Sequence, residues 1–193
     1  MARELILGSS SKPRRMLLER LQLPFTTAHP DIDETPRPNE TPQDLVLRLA
    51  AEKARKIAES HPHALIISAD QVGVLDQHIL GKPGTHENAV KQLLAASGKT
   101  MDFYIGLCVF DAKNQKQEIS LETFSVIYRE LSLEQIEKYL AKEEPLECAG
   151  SCKAEGLGIT LIQEFRGKDF TALIGLPLIR LTEMLLTLHH PIY

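Results

Sequence analysis

Short apolar runs and helical periodicities divide the chain into a series of strands and helices. Buried strands are predicted at 4–8 ("ELILG") and 64–68 ("ALIIS"), because both are short and continuously apolar. Two longer strands are predicted at 100–111 and 120–131, joined by the polar turn "AKNQKQ". The segment "VGVLDQHILGKP" indicates a hairpin or tight turn after the second strand. A sheet that combines buried and partly exposed strands is therefore expected.

Helical spacing of apolar residues fills most of the chain between these strands. In "RRMLLERLQL" the leucines recur on one helical face. Further helices are predicted at 42–60, 86–96, 133–143 and 175–188. Thr41, Thr85 and Ser132 precede the first three of these as N-cap residues. The segment 29–42 carries four prolines and is predicted to be an extended loop.

The order of these elements predicts a mixed α/β fold. Strands and helices alternate, but without a strict strand–helix–strand rhythm. A chain of 193 residues is long enough for one substantial core, or for two small lobes that share one. We expect a single domain over residues 1–193.

Composition and charge exclude several functional classes. The net charge of -4 and the pI of about 6.0 give no global attraction to nucleic acid or anionic membranes. No apolar run approaches the roughly 20 residues needed to span a bilayer, and the start does not resemble a secretory signal. The three cysteines, Cys108, Cys148 and Cys152, suit a reducing cytoplasm, and thiols are favoured over a zinc site. We expect a cytoplasmic protein with neither nucleic-acid nor membrane partners.

Lys53 falls inside the apolar stripe of the helix at 42–60. The stripe includes Leu45, Leu49 and Ile57 and is expected to face the core. A lysine there either extends its ammonium to solvent or meets an anion, because an unpaired buried charge is very costly. The sequence leaves both possibilities open.

Other charged and polar residues indicate a binding site only when they are considered together. Asp70 is predicted to lie two residues past a strand end, where ligands collect in α/β proteins, although a turn-forming role is also possible. Glu34 lies in a proline-bounded loop, and Lys82 lies in "GKP"; each alone is typical of solvated loops. With "SSSKPRR" after the first strand, these residues form the parts of a metal-assisted phosphate site.

The order of the motifs resembles the Maf-like nucleoside triphosphate pyrophosphatases. The motifs are "SSSKPRR", "DETPR", "EKA", "SADQV", "GKP", "CAGSCKAEGLG" and "IGLPL", and they span nearly the whole chain. The resemblance implies an elongated, mixed-sheet Maf/ITPase-like fold with the substrate in a central cleft between two lobes. It also implies a divalent cation, Mg²⁺ or Mn²⁺, and a possible homodimer.

The resemblance also implies a role for each matching residue. Asp70 would be the catalytic acid/base, and Glu34 would hold the metal together with Asp70. The phosphate-binding residues would be Ser9, Arg14, Lys53 and Lys82. The implied reaction is hydrolysis between the α and β phosphates, which yields a nucleoside monophosphate and pyrophosphate.

Three positions distinguish the branches of this family, one of which acts on 7-methyl-GTP. Gln71 and Glu155 match that branch, where the dTTP/UTP branch has Thr and Gln. Pro13 stands where the branch usually has an aromatic residue, and Lys12 stands where the family usually has proline. Guanine presents N1–H and N2–H side by side, which suits one carboxylate such as that of Glu155; an exposed turn residue is the alternative.

The expected function is therefore hydrolysis of 7-methyl-GTP to 7-methyl-GMP and pyrophosphate. Two alternatives remain open at this point. One is a broader pyrophosphatase for dTTP, UTP or CTP. The other is a nucleotide-binding regulator of cell division in which catalysis is incidental.

Overall fold

A computed structural model describes residues 3–193 and confirms the mixed α/β class. Met1 and Ala2 of the predicted domain lie outside the described residues. Within residues 3–193 the strands are β1 (Leu5–Leu7), β2 (Thr26–Thr27), β3 (Leu65–Leu75), β4 (His78–Leu80), β5 (Thr100–Asp111), β6 (Lys116–Tyr128) and β7 (Ile162–Arg166). The helices of the same residues are α1 (Lys12–Glu19), α2 (Pro42–Ala58), α3 (His86–Ala96), α4 (Leu133–Glu143), α5 (Phe170–Ile174) and α6 (Leu178–Thr187).

The strands form one mixed sheet in the described part of the chain. Their order is β2-β1-β3-β5-β6-β7, and β4 pairs with β3. β1 runs parallel to both β2 and β3, with Ile6 opposite Thr26 and Ile66. β4 is antiparallel to β3, and β7 is antiparallel to β6. The predicted hairpin after the second buried strand is therefore confirmed.

The strand that carries Asp70 is longer than its apolar run. The sequence places Asp70 past the end of a strand at 64–68, and this prediction is wrong, because β3 continues to Leu75. The apolar run stops at Ser68, but the strand continues through the polar pair Asp70 and Gln71 into a second, mostly apolar run at 72–75. Asp70 is therefore held by strand pairing rather than by a turn.

By density of internal contacts the described chain divides into two compact units. Unit 1 comprises the described residues up to Gln71, then Ile105–Glu122 and Asp169–Tyr193. Unit 2 comprises Val72–Tyr104 and Thr123–Lys168. In unit 2, α3 packs on α4 and on a 3₁₀ turn at Ala149–Ser151, and α4 also packs on a second 3₁₀ turn at Leu157–Leu161.

The core of unit 1 lies on both faces of its strands. Successive side chains of β1 and β3 alternate between two apolar clusters. Leu5 and Ile67 belong to the cluster that includes α1 and α6, whereas Ile6 and Ile66 belong to the one that includes α2. Unit 1 is thus a layered helix–sheet–helix structure. None of the helices in residues 3–193 combines the length and apolarity that a membrane span requires.

Candidate functional site

Lys53 meets two carboxylates on the buried face of α2. Lys53 is only 6% exposed to solvent. Its Nζ donates a hydrogen bond of 2.6 Å to Asp70 Oδ1 and lies 2.9 Å from Glu34 Oε1. The sequence left open whether this lysine reaches solvent or an anion, and the structure shows that it pairs with anions. The ion pair of Lys53 and Asp70 is the centre of the candidate site in unit 1.

The register between α2 and β3 explains why this pair forms. Ser68 Oγ donates a hydrogen bond of 2.6 Å to the carbonyl of Ala50, which fixes the helix on the strand. Residues two apart on a strand share a face, so Asp70 follows Ser68 toward α2. Gly106 of β5 lies directly against the backbone of Val46, where a Cβ would clash. The helix therefore lies close to the sheet and brings Lys53 within reach of Asp70.

A glycine near the end of the chain places Arg14 beside the pair. Arg14 is in the first turn of α1, which Ser11 caps. Its Nε donates 2.9 Å to the carbonyl of Gly175, whose φ of 119° is one that residues with a Cβ rarely adopt. Gln71 Nε2 donates to the carbonyl of Leu173 at 2.9 Å, so it binds the same segment. In residues 3–193, the two terminal Nη groups of Arg14 have no acceptor and remain available to an anion.

Burial and charge perturb the ionisation of this cluster. Burial raises the pKa of Asp70 above its ordinary value, although Lys53 and Arg14 act in the opposite direction, and Glu34 adds to the increase. Burial also lowers the pKa of Arg14, against the attraction of Asp70 and Glu34. A carboxylate with a raised pKa beside two cations is the type of group that active sites use as a general base.

The raised pKa of Asp70 predicts a pH dependence of folding. Between its ordinary pKa of 3.8 and its native pKa, the folded state holds a proton that the unfolded state has lost. The contribution of this proton to the free energy of unfolding is therefore lost as pH rises through the native pKa. Relative to Asp70→Asn, which does not titrate, the wild type should lose stability over this range in urea unfolding.

Asp111 provides a matched control of opposite sign. It is also buried in unit 1, and hydrogen bonds from Arg3 and Asn114 outweigh its burial and lower its pKa. Its stabilising contribution is present above the ordinary pKa of Asp and is lost as pH falls through the native value. Relative to Asp111→Asn, the wild type should lose stability on acidification. If the stability difference between wild type and variant changed with pH in the same direction for Asp70→Asn and Asp111→Asn, the opposite pKa shifts of the two carboxyls would be contradicted.

An arginine network holds the loop that carries Glu34. Arg48 of α2 donates through Nε and Nη2 to Glu40, at 2.5 and 2.8 Å, and through Nη1 to Glu52 at 2.9 Å. Its Nη2 also donates to the carbonyl of Thr35, next to Glu34, at 3.2 Å. The hydrogen bonds from Arg48 lower the pKa of Glu40 to about 2. The loop is solvent-exposed, and these contacts supply the order that burial does not.

Replacing Arg48 is expected to free this loop. Arg48→Met removes the charge-assisted hydrogen bonds to Glu40, so amide hydrogens at 35–40 should exchange about tenfold faster or more. Hydrogen exchange measured by NMR or mass spectrometry tests this. Arg55→Met is the control, because Arg55 is exposed on the same helix and donates to Gln117 instead. Equal exchange in both variants would show that Arg48 does not hold the loop.

The remaining predicted residues occupy different surroundings. Ser9 is buried directly after β1, and its Oγ accepts a hydrogen bond of 3.1 Å from the backbone N–H of Ser11. Pro13 is exposed in the first turn of α1, a position that proline favours. In unit 2, Lys82 is exposed and pairs with Glu147 at 2.9 Å. Glu155 is an exposed turn residue of the same unit. Ser9, Arg14, Glu34, Lys53, Asp70 and Gln71 therefore share unit 1, and Lys82 and Glu155 have their contacts within unit 2.

The carboxylates beside Lys53 fit a hard divalent cation. Each uses one oxygen on the ammonium, and Asp70 Oδ2 and Glu34 Oε2 accept no hydrogen bond within residues 3–193. No cluster of three or more His, Cys, Asp or Glu side chains suited to a metal occurs in those residues. Two carboxylates are sufficient for Mg²⁺, which usually keeps waters and binds substrate phosphates. The donor set of Glu34 and Asp70 is compatible with such an ion.

Sequence reasoning missed Gly175 and Arg48 as parts of the site. Gly175 lies in the motif "IGLPL", but its contact with Arg14 spans 161 residues and has no local signal. Arg48 lies five residues before Lys53 on α2, and Glu52 four residues after Arg48 has the spacing of a helical ion pair. This spacing could have identified Arg48 as part of an ion-pair network on α2.

Comparison with known proteins identifies a family and several close relatives of this chain. The family profile described as Maf-like protein matches residues 4–188. The 7-methyl-GTP pyrophosphatase of Nitrosococcus oceani is 53% identical over 188 residues, which cover 97% of this chain and 94% of that protein. The 7-methyl-GTP pyrophosphatase of Nitrosospira multiformis is 55% identical over 184 residues, covering 95% and 93%. Among solved structures, the Ham1 protein of Staphylococcus aureus matches with a TM-score of 0.47 and 15% identity, over 65% of this chain and 72% of that one. The match to the family profile covers all of the predicted site residues, from Ser9 to Glu155.

Proposed function

The chain belongs to the Maf-like protein family, and we propose that it hydrolyses 7-methyl-GTP to 7-methyl-GMP and pyrophosphate. One structural observation carries this proposal: the buried pair of Lys53 and Asp70 lies beside Arg14, and burial raises the pKa of Asp70. A poised carboxylate next to cations is what attack on a phosphoanhydride requires, because a proton must leave water while negative charge grows on phosphate.

Each residue of unit 1 then has a chemical task. Asp70 accepts the proton of the attacking water, and Lys53 holds the carboxylate in place through its hydrogen bond of 2.6 Å. The Nη groups of Arg14 bind phosphate oxygens and neutralise the charge that develops on them. Gly175 fixes Arg14 through Nε, so the guanidinium is oriented before the substrate arrives.

Glu34 and Asp70 would hold the divalent cation, Mg²⁺ or Mn²⁺. When bound, such an ion polarises a phosphate oxygen and offsets the charge of the triphosphate. Ser9, two residues after β1, and Lys82 are the other proposed phosphate-binding residues. The hydroxyl of Ser9 retains donor capacity, because in the described residues its oxygen only accepts a hydrogen bond.

The proposed base contact is the carboxylate of Glu155. It accepts from N1–H and N2–H of guanine, and its charge favours a base made cationic by N7 methylation. Gln71 and Pro13 are the other proposed specificity positions. The amide of Gln71 binds the carbonyl of Leu173, so it acts on the segment that also fixes Arg14.

A substrate panel tests the proposed function. Release of pyrophosphate is measured with 7-methyl-GTP, GTP, dTTP, UTP and CTP, with and without Mg²⁺. We expect 7-methyl-GTP to have the highest kcat/KM and the reaction to need the metal. Equal rates across the panel would indicate a broader pyrophosphatase. Tight nucleotide binding without release of pyrophosphate would indicate a binding regulator.

We also propose a homodimer located in the cytoplasm, with the nucleotide as its small-molecule partner and no nucleic acid or membrane partner. The acidic net charge of -4 supports the last point, because polyanions are repelled on average. Light scattering coupled to gel filtration measures the oligomeric state, and a monomeric mass would contradict the dimer.

A further inference from the structure

A half-buried carboxylate at the end of α4 anchors the turn that carries Glu155. The side chain of Glu143 is only 15% exposed. It accepts a hydrogen bond of 2.6 Å from Lys153 Nζ and another of 2.7 Å from the backbone N–H of Leu157. Gly156 lies so close to this carboxylate that a Cβ there would come within 2.7 Å of Oε2. The residues on both sides of Glu155 are therefore held by one side chain.

A second contact from the same helix completes the anchor. The hydroxyl of Tyr139, one turn before Glu143, accepts a hydrogen bond of 2.9 Å from the backbone N–H of Lys153. The turn is thus attached to α4 at its first residue and again just after Glu155. Its geometry is set by α4 rather than by its own exposed side chains.

Glu143 also determines which carboxylate the Lys153 ammonium pairs with. Lys153 and Glu155 are two residues apart and interact electrostatically. Glu143 takes the ammonium of Lys153 instead. Glu155 is exposed, and its carboxylate accepts no hydrogen bond and forms no ion pair within the described residues. Without Glu143, the Lys153 ammonium is the nearest cation along the chain that would neutralise Glu155.

We propose that Glu143 is a positioning residue for base specificity: it fixes the turn and holds the Lys153 ammonium, so that Glu155 stays free for a cationic base. The inference rests on the proposed function, in which Glu155 contacts the base. It concerns the charge of the base in particular. Guanine and 7-methylguanine offer the same N1–H and N2–H donors, but only the methylated base gains positive charge.

The ratio of kcat/KM for 7-methyl-GTP to that for GTP isolates this effect. Glu143→Gln keeps an acceptor for the Leu157 amide but loses the charge that holds Lys153. We expect the ratio to fall about fivefold, the upper range for a surface ion pair, through KM rather than kcat. Adding Lys153→Met to this variant should restore the ratio, because no ammonium is left to pair with Glu155.

Two further variants serve as controls. Lys153→Met alone should keep the wild-type ratio or raise it, and this result does not depend on how well Glu143→Gln folds. Lys142→Met removes an exposed lysine next to Glu143 and should leave the ratio unchanged.

The outcomes separate this inference from the proposed function. If Glu155→Gln lowers the ratio but Glu143→Gln does not, Glu155 contacts the base and the role of Glu143 is wrong. If Glu143→Gln lowers the ratio and Lys153→Met fails to restore it, the charge-holding role is wrong. If Glu155→Gln leaves the ratio unchanged, both the base contact and this inference fail.

Discussion

Asp70→Asn is expected to lower kcat for pyrophosphate release by about 10²- to 10⁴-fold, the contribution typical of a positioned general base. Asn has nearly the same shape and still accepts a hydrogen bond from Lys53, so the fold and nucleotide binding should persist. The amide cannot accept a proton from water. The measurement is kcat with 7-methyl-GTP at saturating Mg²⁺, beside the dissociation constant for a non-hydrolysable analogue.

Asp111→Asn is the matched control for this result. Asp111 is another buried carboxylate of unit 1, but it pairs with Arg3 and has no contact with the proposed site. Its replacement should lower stability and leave kcat near the wild-type value. An Asp70→Asn protein that is folded and turns over at a near-normal rate would remove Asp70 from the mechanism.

Lys53→Met is expected to have the largest effect on stability and to shift the pH profile. It leaves the buried Asp70 without its closest cation, and breaking a buried pair by removing one partner costs about 3 kcal/mol or more. Loss of Lys53 also removes an influence that holds the pKa of Asp70 down. The acid limb of the kcat profile should therefore move to higher pH, and the stability cost should shrink as pH falls and Asp70 becomes protonated.

Urea unfolding and pH–rate profiles measure both effects. Lys56→Met is the control, because Lys56 is on the same helix but pairs with Glu59 at the exposed surface. Exposed pairs of this kind contribute little, so this variant should resemble the wild type. A Lys53→Met protein with wild-type stability and an unshifted pH profile would contradict the central role of the pair.

The sequence was most informative where one side chain breaks a strong pattern. Lys53 interrupts an otherwise apolar helical stripe, and the cost of an unpaired buried charge limited it to two possibilities, solvent or an anion, of which the structure shows the anion. Asp70 was identified as a residue of interest for a reason that proved wrong. It is not at a strand end, but alternation along β3 places it on the same face as Ser68, toward α2. The apolar residues that resume at Val72 were the better signal that the strand continues.

The contacts that sequence could not supply join distant parts of the chain. The five-residue helix α5 is too short to show a periodicity, and it was not predicted. Yet the residues just after it bind Arg14, and its Leu173 binds Gln71. β6 begins at Lys116, four residues before the predicted start at 120. The prediction missed these residues because most of them are polar and none is buried. A local sequence pattern predicts the bounds of a helix or strand only where its side chains pack into the core.

The composition of unit 1 from three separated stretches of chain has a consequence for how the site is assembled. Lys53, Asp70 and Glu34 belong to the first stretch, and Gly106, which lets α2 lie close to β3, belongs to the second. The partner of Arg14 belongs to the last stretch, 161 residues later. Closing so long a loop costs more entropy than local pairing, and contacts of high sequence separation form slowly. During synthesis on the ribosome, Lys53 and Asp70 are therefore made well before the segment that fixes Arg14, and the proposed site is completed last.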